Sequence, residues 1–550
     1  MSTESATAAG TTATTRTNGT ASTFLVWLRS YRGVHYVILA VAALFLLYES
    51  RHQGLFYDDW DFVDGANTNL FAPHVGHWST VPMVLYLAVR TVFGLDSFLP
   101  FAVMVIVAQL GLATIIWRIM LKVGVAPWIA TTASALICFL GAGGENILWA
   151  FQVGFMGAAA LALLVMLLLM RERFGVWEII GVVVLSILAL ATSGTSLPVL
   201  AGAAVVGIVY RGFWRTVAVL LPGAVAYGVW YVIVELHSTG NAYHASGLFQ
   251  YLTQAPNYIL GMLADGSGKV VGIAALGAVG FGLMVIWAIY RLPKASKRWT
   301  AAYACLVAAI LFAALTAYSR LNLDVPTSGR YVFLTTVLML PMAMLALTAV
   351  QTRVGLPLIG SVVVVALLVG YNFTQLLPVL QGRASAVAET KQEFAATASL
   401  IRSGASLDPS AKPAPRFAPQ VSVRDIQRMV DNGWMHPGSF DAAAMLTVRA
   451  ALDVTITSAD APNTTAGCTW LPDGSNSVDL GSGATIKAPG STQIQYVLTE
   501  GTTVSNPITG TLASGWNRLK TTHGNVRVVG TANTVLLCGS RHELTSPGQG

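Results

Sequence analysis

The sequence predicts a polytopic α-helical membrane protein with about 11 transmembrane helices and a C-terminal extracytoplasmic domain that is β-rich and β-sandwich-like. The composition gives the first reason, because 54% of the 550 residues are hydrophobic, 10% are charged and the mean hydropathy is +0.63. Apolar runs near twenty residues, long enough to cross a bilayer, recur until about residue 380. Beyond residue 450, short β-type runs alternate with Gly, Asn and Ser turns, which is the spacing of a small β-sandwich.

Residues 1–23 are rich in Ala, Thr and Gly and lack the apolar side chains that offset the entropy cost of ordering. They are expected to be a disordered cytoplasmic tail. A signal peptide is the alternative interpretation of the apolar run that follows. No small-residue cleavage site follows Ser50, so a retained first helix is favoured.

The predicted transmembrane domain covers residues 24–380 and its orientation follows from charge. The predicted spans are 34–48, 99–120, 127–142, 151–170, 176–192, 196–210, 214–236, 269–290, 299–317, 331–350 and 354–378. Thirteen Lys and Arg residues flank one side of this layout and five flank the other. Because cytoplasmic loops carry the excess of positive charge, the N-terminus is expected inside, with loop 49–98 and the C-terminal domain outside. This layout predicts a multi-pass plasma-membrane protein.

The net charge of +7 does not indicate a nucleic-acid partner. The cations are dispersed between apolar segments and form no basic stripe with interleaved aromatics. No Walker or Rossmann fingerprint is found either, which argues against a soluble nucleotide substrate. The expected partner at this level is the lipid bilayer.

The first outside loop holds the densest group of acids, in Tyr57-Asp58-Asp59-Trp60-Asp61-Phe62. Carboxylates at a partly desolvated interface have raised pKa values, which suits a general base, so a catalytic or metal-binding role is predicted for this acidic segment. In helical geometry Asp58 and Asp61 share a face, whereas in extended geometry Asp59 and Asp61 do. The alternative is a solvated acidic turn.

The same loop offers ligands for a divalent cation. Carboxylate oxygens suit Mg²⁺ or Mn²⁺, so either pair could hold a cation, and Asp59 with Asp61 is the pair assigned to it, although the sequence requires no cofactor. His74 and His77 follow at a spacing that is a weak zinc signal, and they are predicted to contact substrate. The alternative is a pair of interfacial histidines before an amphipathic helix over 79–93, which is expected to lie in the outer interface.

Two further groups are predicted to bind substrate. Glu145, Trp149 and Gln152 share one helical face and combine an aromatic ring with polar groups, as a sugar-binding edge does; an interfacial anchor is the alternative. Arg330 and Tyr331 lie at the outer mouth of the tenth span, where a guanidinium binds phosphate or only snorkels to the interface.

The C-terminal part begins with a Pro-rich linker over 381–420 that contains a helical segment, followed by the β-rich domain over 421–550. Cys468 and Cys538 bracket the β-rich region. A disulfide between them is expected, and it requires the oxidising exterior that the charge pattern assigns independently.

The chain resembles the C-type superfamily of polyprenyl-phosphate-sugar-dependent membrane glycosyltransferases. An Asp-Asp pair in the first outside loop carries the resemblance, together with the interfacial helix behind it, the number of spans and the late Arg330-Tyr331. By layout the resemblance covers residues 24–380, and only Tyr57 to Asp61 matches as a motif. It implies that Asp58 is the general base and Asp59 its neighbour, while the acid-x-acid pair of some members leaves metal dependence open.

The implied function is transfer of a sugar from a polyprenyl-phosphate-linked donor to a cell-envelope glycan or glycolipid at the outer face of the membrane. Arg330 would hold the donor phosphate, and the β-rich domain would hold the acceptor glycan. Two alternatives come from other classes: a transporter or flippase of lipid-linked saccharides, and a non-catalytic envelope assembly protein. The acids lie at loop level rather than in the middle of the spans, which favours the enzyme.

Overall fold

The computed structural model describes residues 30–63, 69–238, 247–355, 357–462, 468–471, 473–474 and 478–538. The predicted tail over 1–23 lies outside these residues. The described helices are, in chain order, α1 (Tyr31–Glu49), α2 (Asp59–Val63), α3 (Thr80–Phe93), α4 (Leu99–Val123), α5 (Pro127–Cys138), α6 (Val153–Leu169), α7 (Val176–Thr192), α8 (Ser196–Arg211), α9 (Phe213–Ile233), α10 (Leu248–Leu260), α11 (Gly266–Val271), α12 (Ala274–Arg291), α13 (Thr300–Arg320), α14 (Gly329–Val354), α15 (Leu358–Arg402), α16 (Val423–Asp431) and α17 (Ala442–Asp453).

The protein is a multi-pass membrane protein with a C-terminal β-sheet region. Eight of the described helices, counted with the 3₁₀ turns that adjoin them, are long and apolar enough to cross a bilayer by length and composition: α1, α4, α6, α9, α12, α13, α14 and α15. With its preceding turn, α6 spans Ala150–Leu169, which is 20 residues. Every predicted span overlaps a helix, but α5, α7 and α8 have only 12, 17 and 16 residues. Because a span needs about 20 residues, the predicted count of eleven is not confirmed.

Glycines explain why α5 is short. After Cys138 the chain enters a 3₁₀ helix, Gly141–Asn146, which packs against α14 and α15. A Cβ at Gly141 would collide with the α15 backbone at Asn372, and one at Gly143 would lie 2.7 Å from Cβ of Phe333. Only glycine allows this close approach, so the chain bends across the helix pair and sets Glu145 beside the start of α14.

The last long helix passes through the predicted domain boundary at residue 380. With 45 residues, α15 is about 68 Å long at 1.5 Å per residue, which exceeds the roughly 30 Å hydrocarbon core. Its C-terminal part packs against α16 and α17. The first half of the predicted linker is therefore a rigid continuation of the membrane helix.

The first loop is ordered by a short helix and a hairpin. Helix α2 is followed by β1 (Pro73–His74) and β2 (His77–Trp78), an antiparallel pair in which His74 lies opposite His77. Both turn residues, Val75 and Gly76, have positive φ angles of 50° and 80°, as two-residue hairpin loops require. The amphipathic helix expected over 79–93 is α3, which buries Met83, Tyr86 and Arg90.

The β-rich region is a two-layer structure. Its strands are β3 (Thr455–Ser458), β4 (Thr469–Leu471), β5 (Val478–Asp479), β6 (Gly483–Ala488), β7 (Thr492–Glu500), β8 (Thr503–Val504), β9 (Ile508–Leu512), β10 (Gly515–Lys520), β11 (Asn525–Thr531) and β12 (Val535–Cys538). Sheet 1 has the order β3-β10-β6-β12-β4, and sheet 2 has the order β5-β11-β7-β8 with β9 also paired to β7. Alternate residues of both sheets form one apolar core, as the period-2 pattern predicts.

The predicted disulfide is confirmed. Cys468 and Cys538 are bonded, with Cα atoms 4.3 Å apart and a sequence separation of 70 residues. The bond links the chain just before β4 to the end of β12, which are neighbours in sheet 1. Cys138 and Cys305 are free and buried among the membrane helices.

Candidate active site

Asp58, Asp61 and His74 form a compact cluster at the first loop. His74 Nε2 lies 3.9 Å from Asp58 Oδ1, and His74 Nδ1 lies 3.9 Å from Asp61 Oδ2. The two carboxyl side chains are about a third exposed, at 32% and 33%, whereas His74 is 11% exposed. The cluster therefore combines a nearly buried imidazole with two carboxylates that solvent or a substrate can reach.

Local structure explains why these three residues meet. The turn into α2 makes the segment helical, so that Asp58 and Asp61 project to one side while Asp59 projects to the other. The hairpin then carries His74 across this side, where its ring packs edge-on against Phe62 at 4.9 Å and Phe151 at 5.3 Å. Of the two geometries considered from the sequence, the fold adopts the helical one.

The charge state of the cluster follows from burial. Burial lowers the pKa of His74 to about 4, so the imidazole is neutral at pH 7 and keeps a lone pair. Burial also raises the pKa of Asp58, while Arg330 and Arg320 act in the opposite direction. Asp58 is therefore a desolvated carboxylate, which increases its basicity, and it also lies in the positive electrostatic potential of two guanidinium groups.

Asp59 has a different environment from its neighbour. Its side chain is fully buried and accepts hydrogen bonds from the Phe56 and Phe151 backbone N–H groups at 2.8 Å each and from the Tyr86 hydroxyl. Burial raises the pKa of Asp59 to about 7. The carboxyl group joins the loop, α3 and the segment before α6, so the predicted Asp59–Asp61 pair is corrected: the acids brought together are Asp58 and Asp61.

Arg320 is the residue that the sequence analysis missed. It ends α13, and its guanidinium donates to the Val75 carbonyl at 2.7 Å and lies 3.5 Å from His77 Nε2. The side chain is buried, and its Nη1 has no hydrogen-bond partner in the described structure. The sequence signal was an arginine at the outer end of an apolar span, a pattern that is also typical of snorkelling.

His77 lies beside this guanidinium, and Arg330 acts on it electrostatically. His77 is half-buried, and desolvation lowers the pKa of its imidazole to about 3, so it is neutral. Arg330, in the first turn of α14, forms an ion pair with Asp324 and lies over the Tyr331 ring, 5.3 Å from its centroid. Tyr331 is itself 3% exposed, so its ring supports the guanidinium from inside the helix bundle.

Glu145, Trp149 and Gln152 do not form the common helical face expected from their spacing. The Glu145 carboxylate accepts from the Gly329 backbone N–H at 3.0 Å and from the Ser328 hydroxyl at 3.2 Å, so it caps α14. The buried Trp149 indole donates to the Phe56 carbonyl at 3.1 Å. Gln152 is fully buried, and both of its side-chain polar atoms lack partners in the described structure. In this conformation all three support the site from behind rather than facing solvent.

The ligand atoms of the cluster could hold a divalent cation. Ligand atoms of Asp58, Asp61 and His74 all lie within 4.8 Å of one another, and His74 Nε2 has no hydrogen-bond partner. Oxygen ligands with one neutral imidazole suit Mn²⁺ and are acceptable to Mg²⁺. Neighbouring ligands at about 2.1 Å from an ion are about 3 Å apart, so side-chain rotation would have to tighten the cluster. The residues present fit a divalent cation on that condition.

Two cavities lie near these residues. One of about 250 Å³ lies between the first loop and α16, and Asp61 is part of its wall together with Trp60, Gln420 and Arg428. A larger groove of about 760 Å³ runs between α12 and α14 and is almost wholly apolar. Its lining on α14 begins at Thr336, six residues and about 9 Å along the helix from Arg330.

No family model and no curated protein matches this chain. Two solved structures are similar, both of ArnT from Cupriavidus metallidurans, and both have a TM-score of 0.44. The structure bound to undecaprenyl phosphate is 14% identical and the match covers 76% of this chain and 87% of that one; the apo structure is 12% identical, with 80% and 93% covered. At this similarity no residue role is transferred from them to this chain.

Proposed function

We propose that the protein is a glycosyltransferase that moves a sugar from a polyprenyl-phosphate-linked donor to an envelope glycan or glycolipid at the outer face of the membrane. One observation carries the proposal: Asp58, a partly exposed carboxylate whose pKa is raised by burial, lies in the field of Arg330 and Arg320. A base beside an anion-binding pair is the arrangement that attack on a sugar phosphate needs.

The donor phosphate is assigned to the two arginines. Arg320 has a buried Nη1 without a partner in the described structure. Arg330, which is paired with Asp324, lies in the first turn of α14. Guanidinium groups suit phosphate because they donate in a planar fork. Both arginines act electrostatically on Asp58, so a phosphate bound to them would lie within the electrostatic range of the proposed base.

The lipid part of the donor is assigned to the apolar groove. The groove opens along α14 below Arg330, so a phosphate at Arg330 leaves a polyprenyl chain free to lie between α12 and α14. Its lining includes Phe281, Met339 and Leu340, whose contact with an isoprenoid chain is favourable by about 25 cal/mol for each Å² removed from water. A lipid donor also explains why a soluble nucleotide site is not needed.

In the proposed reaction, the acceptor hydroxyl attacks the anomeric carbon while Asp58 takes its proton. A glycosidic bond forms, the bond between the anomeric carbon and the phosphate oxygen breaks, and polyprenyl phosphate leaves with its charge held by Arg320 and Arg330. His74, neutral at pH 7, has one N–H group and can donate it to Asp58 or to Asp61, each of which lies 3.9 Å away. The cavity beside Asp61 is the proposed acceptor entrance. When bound at the cluster, a divalent cation would supply further charge neutralisation for the phosphate.

The test is sugar transfer by isolated membranes. Incubation with radiolabelled polyprenyl-phosphate sugars should give a labelled glycan with the wild type, and Asp58→Asn should reduce turnover by roughly 10²–10⁴-fold, the usual contribution of a general base. Arg320→Gln should mainly raise the KM for the donor, because it removes a phosphate ligand. Arg51→Gln changes an exposed arginine whose guanidinium lies over Tyr48, and it serves as the matched control with unchanged kinetics.

Near-wild-type transfer by purified Asp58→Asn would overturn the assignment of the base. Equal expression and equal thermal stability of the variants must accompany the comparison, since loss of folding would imitate loss of activity. A protein that translocates the labelled lipid between leaflets without forming a glycosidic bond would instead be the transporter considered above.

A further inference from the structure

Sheet 1 of the β-rich domain carries a row of exposed and half-buried side chains that the proposed reaction does not use. Trp516 of β10 lies opposite Lys487 of β6, Lys487 lies opposite Leu536 of β12, and Leu536 lies opposite Trp470 of β4. Directly opposed residues of antiparallel neighbours project from the same face of a sheet. These four residues therefore form one row across four strands, called here the tryptophan row.

The row is accessible and its two rings are well separated. Trp470 is 63% exposed, which is unusual for so large an apolar side chain. The Lys487 ammonium lies 5.7 Å from the centre of the Trp516 ring, a cation–π distance. Since neighbouring strands are about 4.8 Å apart, the backbones carrying the two tryptophans are about 14 Å apart. One extended ligand can contact both rings.

The surroundings of the row are cationic and rich in hydroxyls. Arg518 and Lys520 follow Trp516 on the same face of β10, and both are exposed. Thr485 and Thr457 lie opposite Arg518 on the two neighbouring strands. Among the described strands of sheet 1, none of the outward-facing positions carries a carboxylate. Charge complementarity therefore indicates an anionic partner.

Two structural features keep this face rigid and open. The Cys468–Cys538 disulfide ties the three-residue edge strand β4 to β12, two residues before Trp470. Sheet 2 rather than sheet 1 packs against the rest of the chain: its strands contact α17, and the Tyr496 hydroxyl donates to the Ala450 carbonyl. The row thus faces away from the helices that hold the domain.

We propose that the tryptophan row, with Arg518 and Lys520, binds an anionic polysaccharide. Sugar rings would stack on Trp470 and Trp516, and carboxylate or phosphate groups would pair with the three cations. A bilayer surface is the other anionic partner, but bilayer insertion requires contiguous apolar side chains, whereas a lysine and several threonines separate these rings. The site is distinct from Asp58 and concerns retention of a glycan rather than the chemical step.

The test uses the full-length protein in zwitterionic nanodiscs, immobilised for binding measurements. Polygalacturonate is the probe, dextran is the neutral polysaccharide, and polyglutamate is the anionic polymer without sugar rings. The wild type should bind polygalacturonate, and Trp470→Ala and Lys487→Ala should each weaken binding by about tenfold or more. Arg527→Ala removes a partly exposed cation from sheet 2, and should leave binding unchanged.

Further measurements keep the proposal falsifiable. Mass spectrometry must find the Cys468–Cys538 disulfide in each variant, and Trp470→Phe, which retains an aromatic face, should restore most of the binding lost in Trp470→Ala. Equal binding by wild type and Trp470→Ala, or equal binding of polyglutamate and polygalacturonate, would overturn the proposal. Capture of phosphatidylglycerol vesicles without capture of polygalacturonate would overturn it in favour of a membrane contact.

Discussion

Adjacent acids in the first loop have opposite environments. Asp58 is partly exposed beside His74, whereas the Asp59 carboxyl group is fully buried and accepts three hydrogen bonds. Consecutive residues in a helix are rotated by about 100° around its axis, so the side chains of Asp58 and Asp59 point in different directions. The catalytic role proposed for the pair therefore divides into a reactive group, Asp58, and a positioning group, Asp59.

The first prediction concerns Asp59 and pH. Its pKa is raised by burial from 3.8 to about 7, so the folded protein binds this proton more tightly than the unfolded chain does. The contribution of Asp59 to stability is thus greatest at low pH and falls as pH rises between about 4 and 7. Asn at this position does not titrate, so the stability advantage of wild type over Asp59→Asn should shrink with rising pH. Thermal unfolding of both proteins in detergent at pH 5, 6, 7 and 8 measures this difference in stability.

Asp473→Asn, a change at an exposed acid of the β-rich domain, is the control for general effects of charge and should show no such trend. An advantage of wild type that instead grows toward pH 8 would mean that the three donors outweigh burial and keep Asp59 ionised.

The second prediction concerns the cation site. If Asp58, Asp61 and His74 hold a divalent ion, titration calorimetry should detect Mn²⁺ binding to the purified protein, and His74→Ala should weaken it by about tenfold or more. His436→Ala is a matched control because His436 is an exposed histidine paired with Asp96. Chelator should reduce sugar transfer and Mn²⁺ should restore it. Binding that is identical in wild type and His74→Ala would exclude this cluster as the site.

At the scale of elements, the N-terminus of α14 is capped by a side chain from another segment, the 3₁₀ helix Gly141–Asn146. Glu145 lies on the 3₁₀ helix between α5 and α6, and its carboxylate caps the N-terminus of α14 one residue before Arg330. A negative charge at a helix N-terminus is favourable by about 1 kcal/mol. The glycines that allow the 3₁₀ helix to approach α14 thus also determine the position of Arg330, the arginine proposed to bind phosphate.

The third prediction follows for Glu145. Glu145→Gln keeps one acceptor but loses the charge, so it should lower the free energy of unfolding by about 1 kcal/mol and raise the donor KM by disordering the first turn of α14. Glu172→Gln, at an exposed acid between α6 and α7, should change neither quantity. Unchanged stability with a large loss of kcat would instead support the direct substrate contact predicted from the sequence.

At the scale of the whole molecule, the orientation in the membrane remains the proposal that the charge pattern supports. Helix α15 carries the chain out of the bilayer, so the β-rich domain and the first loop should share the extracytoplasmic side. The described free cysteines are buried, which gives a low background for labelling. A single new cysteine therefore reports the side on which it lies.

The fourth prediction is that Thr522→Cys reacts with an impermeant maleimide in intact cells, whereas Ser296→Cys reacts only after the membrane is permeabilised. Both positions are exposed, one in the β-rich domain and one between α12 and α13, so access to solvent is matched. The opposite labelling pattern would reverse the topology and remove the proposed active site from the outer face.

Periodicity and composition determined the elements of this protein but not all of their lengths. Apolar runs located a helix at every predicted span, and alternation located the two-layer β domain, because both signals are local. The same reasoning missed α10 and α11, since the region over 248–271 is less apolar and its helices are broken at Gly272, where φ is 83°. It predicted a helical segment within the linker, but not that α15 continues without a break from the membrane span to Arg402.

The sequence by itself located the acidic cluster in the first loop, where the reactive groups are proposed to lie, and predicted the Cys468–Cys538 disulfide. Only the tertiary structure decided which acids meet. Asp58 and Asp59 are adjacent in sequence but point in different directions, and no local pattern encodes the hairpin that brings His74 to Asp58 and Asp61. The role of Arg320 depends likewise on contacts across 245 residues, between α13 and Val75. Local patterns report what a segment can bury, whereas a site depends on which buried segments meet, and that is determined by packing of the whole chain.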